Sequence, residues 1–210
     1  MCIEIYLLSI FIAHASAIKM KKRAYTLKRR AEGQAETRQR IVEAAVELHS
    51  EVGPSRTTVS MVAERAGVQR HTFYAHFEDE RSLLMACSSH HLAKHPMPDA
   101  EAWKKIEDRE ERLRAGLTEL YQWFSENEQL LSSVLRDAEF MPLVKEVSGK
   151  RFGPYFSAYH EALGAKLSTK SHAMLGVALS FHTWRTLARE SGLAPKAAAQ
   201  LMAQAITNAK

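Results

Sequence analysis

Apolar residues recur along most of the chain with the spacing of α-helices, and no stretch shows the sustained alternation of a β-strand. The first clear instance places apolar residues at i, i+3, i+4 and i+7: Ile41, Ala44, Ala45 and Leu48. This spacing predicts a helix over residues 36–52, which Gly53 and Pro54 would end. Beyond Pro96 and Pro98 the same period continues through a larger region. The pattern therefore predicts an all-α protein.

Two short helices joined at a glycine are predicted in the segment 56–77. Thr57 and Thr58 can cap the first helix, since a hydroxyl accepts hydrogen bonds from the unpaired amides of a first turn. The apolar face of this helix is spaced accordingly: Val59, Val62, Ala63 and Ala66. Gly67 can end it, because glycine adopts a left-handed backbone at little cost. A second short helix follows, which Phe73 would anchor to the core.

The second helix directs a row of polar side chains away from Phe73. These side chains are the candidate DNA contacts: Gln69, Arg70, His71, Thr72, Tyr74 and His76. Arginine pairs with guanine and glutamine with adenine, whereas threonine and tyrosine hydroxyls donate to phosphates. We therefore interpret residues 36–78 as a helix-turn-helix domain for double-stranded DNA. The alternative is an ordinary surface helix with a solvated polar face, because two helices flanking a glycine occur in many proteins.

Basic residues are concentrated ahead of this domain. The chain has 29 Lys+Arg against 24 Asp+Glu, a formal net charge of +5. A basic run without acids precedes the first predicted helix: Lys19, Lys21, Lys22, Arg23, Lys28, Arg29 and Arg30. We expect residues 1–35 to form a disordered basic arm, which could follow the phosphate backbone or enter a minor groove. A solvated tail without a role in DNA binding is the alternative.

The first residues, MCIEIYLLSIFIAHASA, loosely resemble a secretion signal. Their leading segment carries Glu4 and neither lysine nor arginine, and the apolar run is too short to span a bilayer. We interpret residues 1–19 as an artefactual upstream extension and Met20 as the start of the chain proper, with export as the alternative. Cys2 and Cys87 are too few for a disulfide framework, which favours a reducing cytoplasm.

Residues 79–210 are predicted to form a connecting helix followed by a helical domain, in which Ser171 would cap a helix running through Ala188. Aromatic residues at helical spacing in this domain could line an effector pocket: Trp123, Phe124, Phe152, Tyr155, Phe156, Tyr159, Phe181 and Trp184. Any one of them is better explained as a core residue, but together they suggest an apolar or aromatic effector, since such pockets are mainly apolar. Candidate polar groups for the same pocket are also present: His160, His172, His182 and Arg185.

The chain resembles the TetR family of transcriptional regulators. The matching features are RIVEAAVELHSEVG from residue 40, TTV from 57, VAERAGV from 62 and TFYAHF from 72, followed by a helix near Leu83 and Leu84. The resemblance implies an all-α homodimer with three N-terminal helices for DNA binding and a fourth that connects them to a ligand-binding core. It also implies that the last two long helices form the dimer interface, and that a small molecule releases the protein from its operator.

Carried over by position, the resemblance assigns a phosphate contact to Thr57 or Thr58. It assigns the base-reading positions to three residues: Gln69, Arg70 and His71. It assigns further phosphate contacts to Thr72, Tyr74 and His76. Two positions depart from the family pattern. His71 stands where a small residue is common, and Glu80 followed by Arg81 stands where the family often has a lysine.

Two other classes of function are open. Cys87, His91 and His95 are spaced four apart on the predicted fourth helix, so a metal-responsive regulator is an alternative. No P-loop, Rossmann glycine pattern, GxSxG or HExxH motif occurs, and we expect neither an enzyme nor a cofactor. The expectation is a cytoplasmic repressor, without membrane association, released from a near-palindromic operator by a small apolar or aromatic effector. An activator is the other regulatory possibility.

Overall fold

The computed structural model describes the backbone of residues 2–209 and the side chains of residue 25 and residues 27–209. Within that range the chain is helical and contains no strand, which confirms the all-α prediction. The helices are α1 (Cys2–Glu51), α2 (Val59–Arg65), α3 (Arg70–His76), α4 (Glu80–Lys94), α5 (Ala100–Lys104), α6 (Arg109–Glu126), α7 (Glu128–Ala138), α8 (Pro142–Gly164), α9 (Thr169–Ala178), α10 (Phe181–Arg185) and α11 (Pro195–Asn208). None of the described helices is both long enough and apolar enough to cross a membrane.

Two compact units divide the chain, Met1–Ile41 and Val42–Lys210. In the first unit, α1 begins at Cys2 instead of at the predicted residue 36. Residues 20–40 contain no proline, a single glycine and many strong helix formers, so nothing in their sequence stops a helix. Most side chains of the basic run, and all side chains of the extension proposed for residues 1–19, lie outside the described residues. A role of the basic arm in DNA binding and the domain boundaries therefore stay predictions.

The second unit begins with the end of α1 and the two short helices that follow it. Thr58 caps α2, its side-chain oxygen accepting a hydrogen bond from the Met61 amide at 3.3 Å. After α2, Gly67 takes φ +66° and the Val68 amide donates to the Ala63 carbonyl at 2.9 Å, which closes the helix as a Schellman motif. The predicted turn at Gly67 is thus confirmed, and it fixes the direction in which α3 starts.

A bundle built around α6 makes up the rest of the second unit. The buried leucines of α6, Leu113, Leu117 and Leu120, pack in one core with residues of α8, α9 and α11. The Tyr121 hydroxyl donates to the Ala178 carbonyl at 2.8 Å and so joins α6 to the end of α9. This core supports the cavity described below.

The helix predicted from Ser171 through Ala188 is wrong in its bounds. Ser168 caps α9 by accepting from the Ser171 amide at 3.2 Å, and α9 ends at Ala178. Ser180 then starts α10 by accepting from the His182 amide, also at 3.2 Å. A serine hydroxyl competes for backbone partners and favours helix starts, so Ser180 breaks a segment whose apolar period looks continuous. The break places Ser180, Phe181 and His182 at the wall of a cavity.

Candidate DNA interface and effector cavity

Helix α3 is buried on one side and exposed on the other. Phe73 is 2% exposed and packs against Phe77 with ring centroids 5.7 Å apart, which confirms the predicted anchor. On the opposite side Arg70 and His71 are exposed, and Tyr74 has 53% of its surface accessible. Arg70, His71 and Tyr74 therefore form a polar ridge, whose side chains could contact the bases and phosphates of a DNA groove.

The remaining predicted DNA contacts lie around this ridge. Gln69 is the exposed N-cap residue of α3, and its side chain makes no capping hydrogen bond. Thr72 and His76 are only half-exposed, at the edges of the ridge. At the start of α2, the Thr57 hydroxyl donates to the Gly53 carbonyl at 2.8 Å, whereas the Thr58 oxygen accepts from an amide. The Thr58 hydroxyl can therefore donate to a phosphate without giving up its capping bond.

Arg81 is engaged away from this ridge. Its guanidinium forms a two-point ion pair with Glu146 of α8, in which Nη2 lies 2.8 Å from Oε2. Lys150 contacts the other oxygen of the same carboxylate at 2.7 Å. Hydrogen bonds from Arg81 and Lys150 lower the pKa of Glu146 to about 2. Arg81 thus ties the start of α4 to α8, and a phosphate contact by Arg81 would have to break this pair.

A second tie joins α7 to the segment just before α2. The Asp137 carboxylate is fully buried and accepts hydrogen bonds from the Ser55 amide and from Arg136 Nε, each at 2.8 Å. Arg136 also donates to the Val52 carbonyl at 3.1 Å. Gly53 between them has φ +92°, and a Cβ there would lie 2.5 Å from the Asp137 carboxylate. The junction between α1 and α2 is therefore shaped around one carboxylate.

A cavity of about 480 Å³ lies among α6, α7, α8 and the start of α10. Its walls are mostly aromatic and aliphatic, and the polar residues in them are few: Lys145, Ser148, His160, Ser180 and His182. Seven of the predicted effector residues line it, the aromatic Trp123, Phe124, Phe152, Phe156 and Phe181 together with His160 and His182. A cavity of this size and composition suits a small, largely apolar molecule.

The other predicted effector residues lie elsewhere. Tyr159 is buried and its hydroxyl donates to the Pro98 carbonyl at 2.9 Å, outside this cavity. Trp184 is fully buried in the core behind Phe124 and Phe181. Neither Tyr155, His172 nor Arg185 is among the residues that line the cavity. Sequence reasoning missed Lys145 and Ser148, although Ser148 precedes Phe152 and Phe156 on α8 at a spacing of four residues, and this spacing is the signal that could have identified it.

A smaller space of about 50 Å³, the inner chamber, adjoins the cavity. It shares four lining residues with the cavity: Leu131, Val134, Ser148 and Phe152. Its polar lining includes His49, Cys87 and His91. Burial lowers the pKa of His49 to about 4 against an opposing effect of Asp137. Burial together with neighbouring His95 and His90 lowers the pKa of His91 to about 4 against an opposing hydrogen bond with Asn127. Both imidazoles are therefore neutral near pH 7.

The metal-responsive alternative is not favoured. Among the residues that the structure describes, no group of three or more His, Cys, Asp or Glu side chains is arranged to hold a metal ion. The Cys87 thiol is buried and lies 3.8 Å from the Val42 carbonyl, while the His91 and His95 rings stack on each other at 4.8 Å. Stacked rings present their faces to each other, whereas metal ligation needs ring nitrogens converging on one point.

Residues 41–87 match the family model for bacterial regulatory proteins of the tetR family. The tetracycline repressor protein class A from transposon 1721 of Escherichia coli is 39% identical over 64 residues, 29% of this chain and 30% of that protein. The regulator SrpR of Pseudomonas putida is 43% identical over 51 residues, 24% of either chain. The matches thus span less than a third of these curated relatives.

Solved structures resemble the chain over most of its length. FadR from Bacillus subtilis, determined in complex with stearoyl-CoA, has a TM-score of 0.60 at 17% identity, covering 82% of this chain and 98% of that chain. The fatty acid degradation regulator FadR of Bacillus halodurans has a TM-score of 0.59 at 15% identity, with coverage of 82% and 95%. At these identities the likeness establishes the fold.

Proposed function

Because this chain belongs to the TetR family of bacterial regulatory proteins, we propose that it is a transcriptional repressor controlled by a small molecule. It acts in the cytoplasm, binds a near-palindromic operator as a homodimer, and leaves the operator when an apolar or aromatic effector occupies the cavity beside α7 and α8. Its DNA contacts are the eight predicted residues: Thr57, Thr58, Gln69, Arg70, His71, Thr72, Tyr74 and His76.

The observation that carries this proposal is the two-sided character of α3. Phe73 fixes one side of the helix in the core, so the Arg70, His71 and Tyr74 side is held outward as a rigid polar ridge. This arrangement favours DNA binding over an ordinary solvated surface helix, because a half-exposed tyrosine and an arginine share a face whose direction is fixed by the buried Phe73. Arg70 and Gln69 supply the planar donors that read guanine and adenine edges.

Exposed apolar side chains on the last helices support the homodimer. Val177 on α9 has 50% of its surface accessible, and Leu201 on α11 has 46%. Covering such residues in a second copy is favourable, since apolar surface gains about 25 cal/mol per Å² when it leaves water. In a dimer the two α3 helices would enter successive major grooves about 34–36 Å apart, which requires an operator with inverted half-sites.

The effector would act through the two ties described above. α7 lines the cavity and also carries Asp137, which holds the Ser55 amide, while α8 lines it and carries Glu146, which holds Arg81. A ligand that prefers a shifted α7 or α8 therefore favours a different placement of α2 and α4. Such a ligand changes operator affinity only by its differential affinity for the two placements. The acyl-CoA ligand of the similar Bacillus subtilis protein supports an apolar effector for this cavity.

Footprinting of genomic DNA with the purified protein tests the proposal. Protected sites should be near-palindromic, should lie at promoters, and should lose protection when a candidate effector with an apolar chain, such as stearoyl-CoA, is added. Transcription from the same promoters in vitro should fall with protein and recover with effector. Protein-dependent stimulation of transcription would contradict repression and indicate an activator, and the absence of any protected site would contradict DNA reading.

A further inference from the structure

The inner chamber is the place where the effector cavity reaches the connecting helix α4. The chamber and the cavity are both lined by Leu131, Val134, Ser148 and Phe152, so a ligand in the cavity lies next to the chamber and to α4 behind it. A single water needs about 10–15 Å³ of such space. The chamber's 50 Å³ is therefore sufficient for the end group of a ligand and a few of its atoms.

His91 brings an unpaired polar atom to this chamber. The residue is 8% exposed, and its buried Nε2 has no hydrogen-bond partner in the part of the chain that the structure describes. The imidazole ring is held in place by stacking on His95 at 4.8 Å, by the edge of Trp123 at 6.4 Å and by a hydrogen bond with the Asn127 side chain. A buried polar atom without a partner costs about 1–3 kcal/mol, so a native structure that keeps one invites a functional explanation.

We infer that His91 Nε2 binds the buried end of the effector, and that this end carries a neutral hydroxyl group, phenolic or alcoholic. The inference rests on the proposed function, because it names the ligand chemistry of the same cavity. A neutral imidazole exchanges one hydrogen bond with a hydroxyl and needs no change of protonation. A carboxylate is disfavoured there, since an unpaired charge is costly to bury and the imidazoles facing it are neutral.

A matched pair of probes tests this inference: 4-butylphenol, which has the hydroxyl, and butylbenzene, which lacks it. Binding is followed by the fluorescence of the protein's tryptophans, of which Trp123 lines the cavity. We expect the wild-type protein to bind 4-butylphenol at least about tenfold more tightly than butylbenzene. This factor lies toward the lower end of the free energy gained when a buried polar atom finds a partner. In His91→Leu the preference should disappear while butylbenzene still binds. His91→Gln, which retains a hydrogen-bonding group, should keep part of the preference.

His90→Leu is the matched control, because His90 lies on the same helix and does not line either space. It should retain the full preference for the phenol, and circular dichroism should show unchanged helicity in every variant. Equal affinity of the wild-type protein for both probes would overturn the inference and leave the proposed function intact. Preference that survives in His91→Leu would also overturn it. Failure of both probes to bind the wild-type protein would contradict an apolar effector in this cavity and the inference with it.

Discussion

Replacing the buried carboxylate of Asp137 with alanine should weaken the junction between α7 and the start of the DNA-binding helices. Asp137→Ala leaves the Ser55 amide and Arg136 Nε without the acceptor that each contacts at 2.8 Å. A hydrogen bond to a charged group contributes about 1.5–3 kcal/mol. The Arg136 side chain is 49% exposed and can turn to water, so its share is small. We therefore expect a loss of about 2–3 kcal/mol in the free energy of unfolding, chiefly from Ser55.

Urea denaturation followed by circular dichroism measures this loss as a shift in the midpoint at constant slope. Glu139→Ala is the matched control, since Glu139 is an exposed carboxylate at the end of the same helix. The control should change the free energy of unfolding by less than about 0.5 kcal/mol. A loss for Asp137→Ala no larger than for the control would refute the view that this carboxylate holds the junction.

The pH dependence of the same difference gives a second check. Burial alone would raise the pKa of Asp137, but hydrogen bonds from Arg136 and Ser55 outweigh burial and hold the pKa below its usual value. A carboxyl with a lowered folded pKa stabilises fully above its unfolded pKa, about 3.9, and loses this contribution as pH falls through the folded pKa. The difference between wild type and Asp137→Ala should therefore be constant from neutral pH to about pH 5 and shrink below pH 4.

Four further predictions concern DNA binding, coupling and acid stability. Arg70→Ala should cost about 1–3 kcal/mol at one operator base pair in competition assays with single-base variants; equal weakening on all sequences would contradict base reading. Tyr74→Phe should weaken binding to every sequence by a similar factor and leave its salt dependence unchanged, because the hydroxyl carries no charge, and unchanged affinity would contradict the phosphate contact. Arg81→Met should leave the free energy of unfolding almost unchanged, because its ion pair with Glu146 is exposed, yet it should raise the effector concentration that releases DNA. Release at the wild-type effector concentration would contradict coupling through this ion pair. Acidification from pH 6.5 toward 4 should lower the free energy of unfolding by up to about 1.4 kcal/mol per pH unit, because the buried His49 stays neutral while the unfolded one takes up a proton. His49→Leu should flatten this slope, and an unchanged slope would contradict a neutral His49 in the folded protein.

Local signals in the sequence were sufficient to predict the two short helices α2 and α3. The cap at Thr58, the left-handed Gly67 and the anchor Phe73 each depend on neighbours within a few positions, and the structure has all three as predicted. Such features follow from backbone chemistry and helical period alone. The start of α1 is the exception, because a sequence without a stop signal does not say where a helix begins.

Long-range contacts could not be predicted in the same way. Asp137 and Ser55 are 82 positions apart, and Glu146 and Arg81 are 65 apart, so neither tie leaves a local pattern. The cavity shows the same limit: aromatic spacing identified Phe152 as a candidate but did not separate it from the equally aromatic core residue Trp184. Which aromatic faces a cavity depends on how whole helices pack, and helical period does not determine this.

The central claim, that the exposed side of α3 reads DNA sequence, is tested most directly by selection from a random pool of duplex DNA. Sequencing the duplexes retained by the wild-type protein should give one enriched motif with inverted half-sites, their centres about 10–10.5 base pairs apart or a multiple of that spacing. A variant with alanine at Arg70, His71 and Tyr74 should retain no enriched motif while keeping its helicity. An unenriched wild-type pool, or the same motif recovered with the triple variant, would contradict the account.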